Sequence, residues 1–356
     1  MASSTTTTTT KKAQKDQIIL FHYPYSPYAR RLTWYLKLRG IPYLECIQPP
    51  VLPRPDLSSL GISYRRIPLI SHNSQIYLDT RLVISHLESC PSLAATYPPL
   101  GSEPGTSDLA VQSLLSVLTT GTDLFFRAAE LLPPSLPLMK DKAFLRDRAD
   151  FFPQPSKGAA DSYALKRAEA LTAVRDAVEM METTILADGR DWVLGTETPR
   201  LADVEGVWVF HWLLSEKYGL QGAVYDAEAV NEKKYPKVFA WVRRFEGHLE
   251  GLPKVEQGKV KGEEARGLIL GAAEDSSSSS AEVDATEPVV RALGLKRGDE
   301  VEVWPTDSGS NHRDKGKLVG LNKREVVWEN GKGVKVHAPR KGFRVVKVAE
   351  EGKGKL

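Results

Sequence analysis

An α/β domain, an all-helical domain and a small β domain, in that order along 356 residues, is the fold class this sequence predicts. Three observations predict it. Strand and helix patterns alternate from Gln17 to about Ser92, helical periodicity fills about Gly105 to Lys254, and short strands parted by Gly, Asn and Asp turns follow Thr286. The domains read as 17–92, 93–254 and 287–349, with a disordered tail at 1–16, a flexible linker at 255–286 and a second tail at 350–356.

In the first domain, Ile18 to His22 reads as a buried strand, Pro27 to Arg39 as a helix ended by Gly40, and Tyr43 to Ile47 as a second strand. That is a β-α-β unit with a parallel pair and a right-handed crossover. Ser26-Pro27 marks the helix start, because serine caps well and the missing N–H of proline would have had no partner there. A helix start after a strand turns N–H groups and the positive end of the macrodipole outward, a setting for a thiolate, carboxylate or phosphate. Taken alone, the segment leaves open whether Ser26 meets such an anion or only caps its helix. Beyond the proline-broken connector Pro49 to Pro55, the runs Pro68-Leu-Ile70 and Ile76-Tyr-Leu78 flank a polar turn and read as a hairpin. Asp79-Thr80 then opens a helix carrying Leu82, Val83, His86 and Leu87.

The middle domain shows one helical stripe in Leu171, Val174, Val178, Met181 and Ile185. Leu201 to Leu214 is apolar on almost every side, the pattern of a helix at the centre of a bundle, and Tyr235 to Leu249 is amphipathic. Leu131 to Ser162, rich in proline and charge, is too long for an ordinary loop and reads as a lid or mobile insertion. The linker turns on Gly, Lys and Glu and then on the serine run Ser276 to Ser280. Past it, Val301 to Trp304, Val326 to Trp328, Val334 to Val336 and Phe343 to Val348 have the size and spacing of a small barrel of the SH3 type. His312, in a polar loop of this domain, reads as a surface or packing residue.

Composition is that of soluble globular protein, with 41% hydrophobic and 26% charged residues. No apolar stretch approaches the roughly 20 residues of a membrane span, so no membrane partner is expected. The two cysteines, Cys46 and Cys90, have neither metal nor disulfide spacing, which points to no bound metal and to a reducing, cytoplasmic compartment. Net charge is only +3, yet Val290 to Leu356 holds 16 Lys/Arg against nine Asp/Glu, a local +7 that fits a protein or acidic partner.

Tyr25-Ser-Pro-Tyr-Ala-Arg-Arg31 at a strand-to-helix junction, Ile67-Pro68 ahead of a strand and Asp79-Thr80 at the next helix start together resemble the glutathione S-transferase family. Tyr64-Arg-Arg-Ile-Pro-Leu-Ile70 followed by Ile76-Tyr-Leu-Asp-Thr-Arg-Leu82 looks most like its fungal members. The resemblance covers about residues 17 to 254 and implies a thioredoxin-like N-terminal domain followed by a helical one, with glutathione as co-substrate. It further implies that the Ser26 hydroxyl donates to the glutathione sulfur and favours thiolate over thiol. A free thiol titrates near about 8.5, so a shift of roughly two units makes thiolate the main form at neutral pH. Pro68 resembles the family's cis-proline, which turns Ile67 outward so that its N–H and C=O pair with the cysteinyl backbone of the tripeptide. Thr80 and its helix start would take the γ-glutamyl carboxylate, and Asp79 its ammonium; Asp79 as a plain helix cap fits the sequence equally well. Arg31 stands where the family has a buried structural arginine.

The electrophile site has no motif. Tyr23, Tyr25 and Tyr28 flank Ser26, and Phe125 and Phe126 lie on the early helix where the family places its hydrophobic site. Serine in place of cysteine at position 26 disfavours thiol-disulfide chemistry. Arg54, Arg65 and Arg66 are the basic residues available for the glycyl carboxylate, and Leu201-Ala-Asp203 resembles the family's capping motif, with Arg200 where a hydroxyl residue is usual. The function implied is transfer of glutathione to a small hydrophobic electrophile, as in detoxification, with homodimers usual in the family. Two alternatives share the same residues: a non-catalytic binding or adaptor protein, and a glutathione-dependent isomerase or lyase.

Overall fold

The computed structural model describes residues 16–149, 151, 163–217, 228–273 and 281–348. In chain order the elements are β1 (Ile18–His22), α1 (Pro27–Arg39), β2 (Tyr43–Ile47), α2 (Pro55–Ser59), β3 (Leu69–His72), β4 (Gln75–Tyr77) and α3 (Thr80–Ser89). Helices follow: α4 (Pro91–Ala94), α5 (Ser107–Thr120), α6 (Leu124–Glu130), α7 (Pro137–Lys140), α8 (Lys142–Arg148), α9 (Tyr163–Met180) with a π-helical turn at Met181–Ile185, α10 (Leu201–Leu214) and α11 (Pro236–Gly251). The chain closes with β5 (Gln257–Lys259), α12 (Gly262–Ala273), α13 (Pro288–Leu293), β6 (Glu300–Pro305), β7 (Asp314–Leu321), β8 (Glu325–Glu329), β9 (Lys335–Pro339) and β10 (Phe343–Lys347). Two compact units result: a sheet unit of Met1–Tyr23, Pro42–Leu87 and Glu256–Leu356, and a helical unit of Pro24–Ile41 and Glu88–Val255.

The sheet unit holds one ten-stranded sheet in the order β10-β6-β7-β8-β9-β4-β3-β1-β2-β5. Its thioredoxin-like part follows the sequence pattern. β1 and β2 are parallel, β1 and β3 antiparallel, and β3 and β4 form the hairpin that the polar turn predicts. The C-terminal strands are a meander, but among the described residues their sheet does not close on itself, which corrects the small closed barrel expected at 287–349. The reason lies in β9. One of its edges pairs with β8, and the other runs parallel to β4 through Ile76↔Val336 and Tyr77↔His337. The amide of Leu78 continues the ladder, donating to the His337 carbonyl at 2.9 Å. A strand edge needs a backbone partner, and here the edge of the N-terminal sheet and that of the meander supply each other.

The stretch expected to be a flexible linker is also ordered over 257–259 and 262–273. β5 lies parallel to β2, and Val260, Ala265 and Ile269 are buried in the core. Its Gly, Lys and Glu content hid these apolar positions; Ser276 to Ser280 lie outside the described residues. The same core joins Ile19, Phe21, Leu69 and Ile76 to Val301, Leu318, Trp328, Val336 and Val345, so the N-terminal and C-terminal strands share one hydrophobic cluster. Both terminal tails, 1–15 and 349–356, fall outside the described residues.

In the helical unit, every residue of α10 except Trp212 is buried, as its apolar circumference predicts. Gly206 permits that packing, since a Cβ there would stand 3.2 Å from Trp241. The stripe meets the core through Val174 and Val178 of α9 and Met181 of the π-helical turn, and α11 does so through Val238, Trp241, Val242 and Phe245. Asp203 caps α10 despite Arg200: its carboxylate accepts the amides of Arg200 (3.0 Å) and Val193 (2.9 Å) and the Trp241 indole N–H (3.0 Å). The described part of the 131–162 segment forms α7 and α8, and 152–162 lie outside the described residues. Among the described residues no single helix is long and apolar enough to cross a membrane.

Candidate active site

The helical unit supplies the start of α1. Ser26 has extended backbone, with φ −70° and ψ 125°, and its Oγ accepts the amide of Ala29 at 3.3 Å, while its carbonyl accepts that of Arg30 at 3.0 Å. A hydroxyl that accepts in this way keeps its own hydrogen to donate. Ser26 is therefore a cap, and nothing in that role uses up its proton. The helix behind it is firmly held. Arg31, fully buried, is ion-paired with Glu205 of α10, and Trp34 packs edge-on against His211 and Phe245, at ring separations of 4.5 and 5.3 Å.

In the first turn of α1, Tyr28 enters a cluster of aromatic rings. It lies 4.8 Å from Phe125 and 4.6 Å from Trp208, and Phe125 in turn lies 5.8 Å from Phe126 and 5.4 Å from Trp212. Three of the five aromatic residues suggested by the sequence are thus brought together. Tyr25 is 47% exposed in the turn ahead of Ser26, and Tyr23 belongs to the sheet unit. Trp208 and Trp212 escaped sequence reading because their spacing of four, on a helix apolar all round, looks like core. The buried Trp208 Nε1 finds no hydrogen-bond partner among the described residues.

The sheet unit, taken by itself, holds a second group of the residues that the sequence singles out. The Ile67–Pro68 bond is cis, directly ahead of β3, and Ile67 forms no backbone hydrogen bond among the described residues. Asp79, at φ 65°, leads into α3, where Thr80 is buried. The Asp79 carboxylate is turned to Arg81, accepting from its amide (3.0 Å), Nε (3.0 Å) and Nη2 (2.9 Å). Burial works to raise its pKa, but the charges of Arg81 and Arg66 win and hold it well below the usual carboxylate range.

Residues of the C-terminal region meet the loop before Pro68. Asp314 accepts the amides of Ser63 (2.7 Å) and Tyr64 (3.0 Å), and Asn330 Nδ2 donates to the Leu60 carbonyl at 2.9 Å. Burial pushes the Asp314 carboxyl up to about 7 against the pull of its two N–H donors. Arg66 Nη1 donates to both oxygens of Asp307, each at 3.0 Å. In sequence, Asp307, Asp314 and Asn330 were indistinguishable from turn residues. Of the basic candidates, Arg54 is buried and committed to the carbonyls of Pro49, at 3.0 Å, and Arg65. Cys46 is buried in the core, its thiol pushed up to about 11 by burial and by Asp56. Both causes disfavour its thiolate. His312 sits in the turn after β6, its amide donating to the Gly309 carbonyl at 3.1 Å.

A thioredoxin-like sheet carrying a cis-proline ahead of β3, followed by an all-helical region with α10 at its centre, defines the glutathione S-transferase class of fold. Residues 20–94 match the family model of the glutathione S-transferase N-terminal domain. Residues 127–252 match a domain family of unknown function. Glutathione S-transferase U1 of Arabidopsis thaliana is 29% identical over 77 residues, 21% of this chain and 34% of that protein, so the chain matches about a third of the length of this curated relative. The crystal structure of a GST-like protein from Pseudomonas syringae is similar over 94% of this chain and 100% of its own, at 24% identity and a TM-score of 0.63. That coverage takes in the C-terminal strands, so the β region is shared in fold with a solved protein and is no isolated addition. Rice GST1, solved in complex with glutathione, overlays more loosely, with a TM-score of 0.44 at 16% identity over 74% of this chain and 99% of its own.

Proposed function

We propose that this protein binds glutathione and transfers it, as the thiolate, to a small hydrophobic electrophile. The observation that carries the reading is the geometry of Ser26, whose Oγ accepts the Ala29 amide and so keeps its own hydrogen for the sulfur. The glutathione S–H proton leaves to water, and the hydroxyl and the helix start stabilise the thiolate that remains. The sulfur lone pair then forms a C–S bond to the electrophile, and the electron pair displaced at that carbon departs with a leaving group or takes a proton from water. Ile67 supports the reading as an unpaired peptide unit suited to the cysteinyl backbone, and Thr80 as a hydroxyl at a helix start suited to a carboxylate. The rings of Tyr28, Phe125, Phe126 and Trp212, all partly exposed, offer an apolar surface for the electrophile. Thiolate formation and proximity would supply the acceleration. The chemistry suits a reducing compartment such as the cytoplasm and a role in detoxification.

The test is glutathione binding by the full chain, followed by turnover with a panel of electrophiles. Transfer that falls in Ser26→Ala while glutathione affinity is largely kept supports the assignment. Binding without turnover on any electrophile would favour an adaptor or carrier, and absence of binding would sink the reading.

A further inference from the structure

The γ-glutamyl end of glutathione carries an α-ammonium and an α-carboxylate, so its receptor needs an anion and a cation side by side. Asp79 cannot offer a carboxylate without giving up contacts, because three donors of Arg81 already share it. A second pair lies in the same cluster. Arg66, whose charge also acts on Asp79, presents Nη1 to both oxygens of Asp307. The guanidinium lies 5.3 Å from the ring centre of Tyr64 and 5.6 Å from that of Phe343, which hold its plane. The Asp307 side chain is 57% exposed, whereas that of Arg66 is 19% exposed. Arg66 immediately precedes Ile67, the residue suited to the cysteinyl backbone, and Asp314 and Asn330 fix the same loop from the C-terminal region.

We propose that Asp307 receives the α-ammonium of the γ-glutamyl residue and that Arg66 joins the Thr80 helix start in receiving its α-carboxylate, which makes the C-terminal β region part of the tripeptide site. The inference rests on the glutathione reading above and adds a residue that the N-terminal domain does not contain. An exposed ion pair contributes little by itself. A zwitterion laid across it satisfies both partners at once, the carboxylate taking guanidinium N–H donors and the ammonium donating to the Asp307 oxygens.

Calorimetric titration of the full chain with two tripeptides tests this: glutathione, and glutaryl-cysteinyl-glycine, which keeps the carboxylate and lacks the ammonium. Asp307→Ala and Asp307→Asn should each weaken glutathione about tenfold, the scale of one lost charge-assisted hydrogen bond, and leave the glutaryl peptide unchanged. Arg66→Lys should weaken both peptides. Equal weakening of both by the Asp307 variants would mark a structural role, and unchanged or tighter glutathione binding would show that Asp307 receives no ammonium; either overturns the inference while the glutathione reading stands. A wild-type chain that binds neither peptide overturns both.

Discussion

Ser26 joins two duties that measurement can separate. Its capping bond to Ala29 contributes on the order of 1 kcal/mol, so Ser26→Ala should lower stability only by about that amount. Its proposed bond to sulfur has another readout: in the variant complex the bound thiol should titrate back near about 8.5, visible in the ultraviolet absorbance of the thiolate, and Ser26→Thr should restore the lower value. A thiol pKa unmoved by Ser26→Ala would take the residue out of the chemistry. Asp203 poses a purely structural case. Three donors converge on its buried carboxylate, so Asp203→Ala leaves two amides and an indole N–H without their acceptor and should cost about 3 kcal/mol or more in chemical denaturation. The motif Leu201-Ala-Asp203 exposed the cap in advance, because capping is local. It could not expose Trp241, 38 residues away, as the third partner.

At the scale of elements, the β4–β9 pairing carries a stack of rings. Tyr77 lies between His86, at 3.8 Å, and His337, at 4.3 Å, and His86 Nε2 meets His72 Nδ1 at 2.8 Å. Burial first, then the neighbouring His72, His337 and Arg324, push the His86 imidazole down to about 3 from its ordinary 6.5. The unfolded chain therefore binds more protons than the folded one between those two values, and this group's contribution to stability is lost as pH falls below about 6.5. Asp314 runs the other way: held up to about 7 from 3.8, it costs stability as pH rises across that interval. Comparing variants isolates the first effect. The fall in Tm between pH 7 and pH 5 should be smaller in His86→Gln than in the wild type, and equal falls in the two proteins would contradict a neutral buried His86. The hairpin of β3 and β4 and the start of α3 were legible from turn residues and periodicity. The histidine stack was not, since His72, His86 and His337 sit on three elements that the sequence does not relate.

For the whole molecule, the sheet unit draws strands from both ends of the chain. A fragment of residues 17–254 looks self-sufficient from composition, yet it would expose the β4 edge and strip β5, Val260, Ala265 and Ile269 from the core they share with Cys46 and Leu57. Burying an aliphatic side chain is worth about 1.5–3 kcal/mol, so losing a half-core of such residues exceeds the total stability of an ordinary domain. The fragment should aggregate, or lack a cooperative thermal transition in circular dichroism, while the full chain melts sharply. A well-folded, monodisperse fragment would restore the picture of separable domains. The aromatic cluster teaches a related lesson. Phe125 and Phe126 could be suggested from their place on an early helix, but their meeting with Tyr28, Trp208 and Trp212 joins three helices, and only packing decides which faces turn together.

What the sequence by itself determined is local: α1 with its serine cap and proline, the hairpin, the buried central helix and the marks of the glutathione S-transferase family are written within a few residues each. Caps, turns and hydrophobic periods act over one or two turns of chain, so they survive without knowledge of the fold. Only the tertiary structure decided that β9 completes the N-terminal sheet, that β5 extends its other edge, that Asp79 faces Arg81 and that Asp307 reaches Arg66 across 241 residues. Strand edges pair through backbone groups that every residue carries, and a carboxylate shows no sign in sequence of which cation it will meet. Partners of that kind are settled by what lies adjacent once the core has formed.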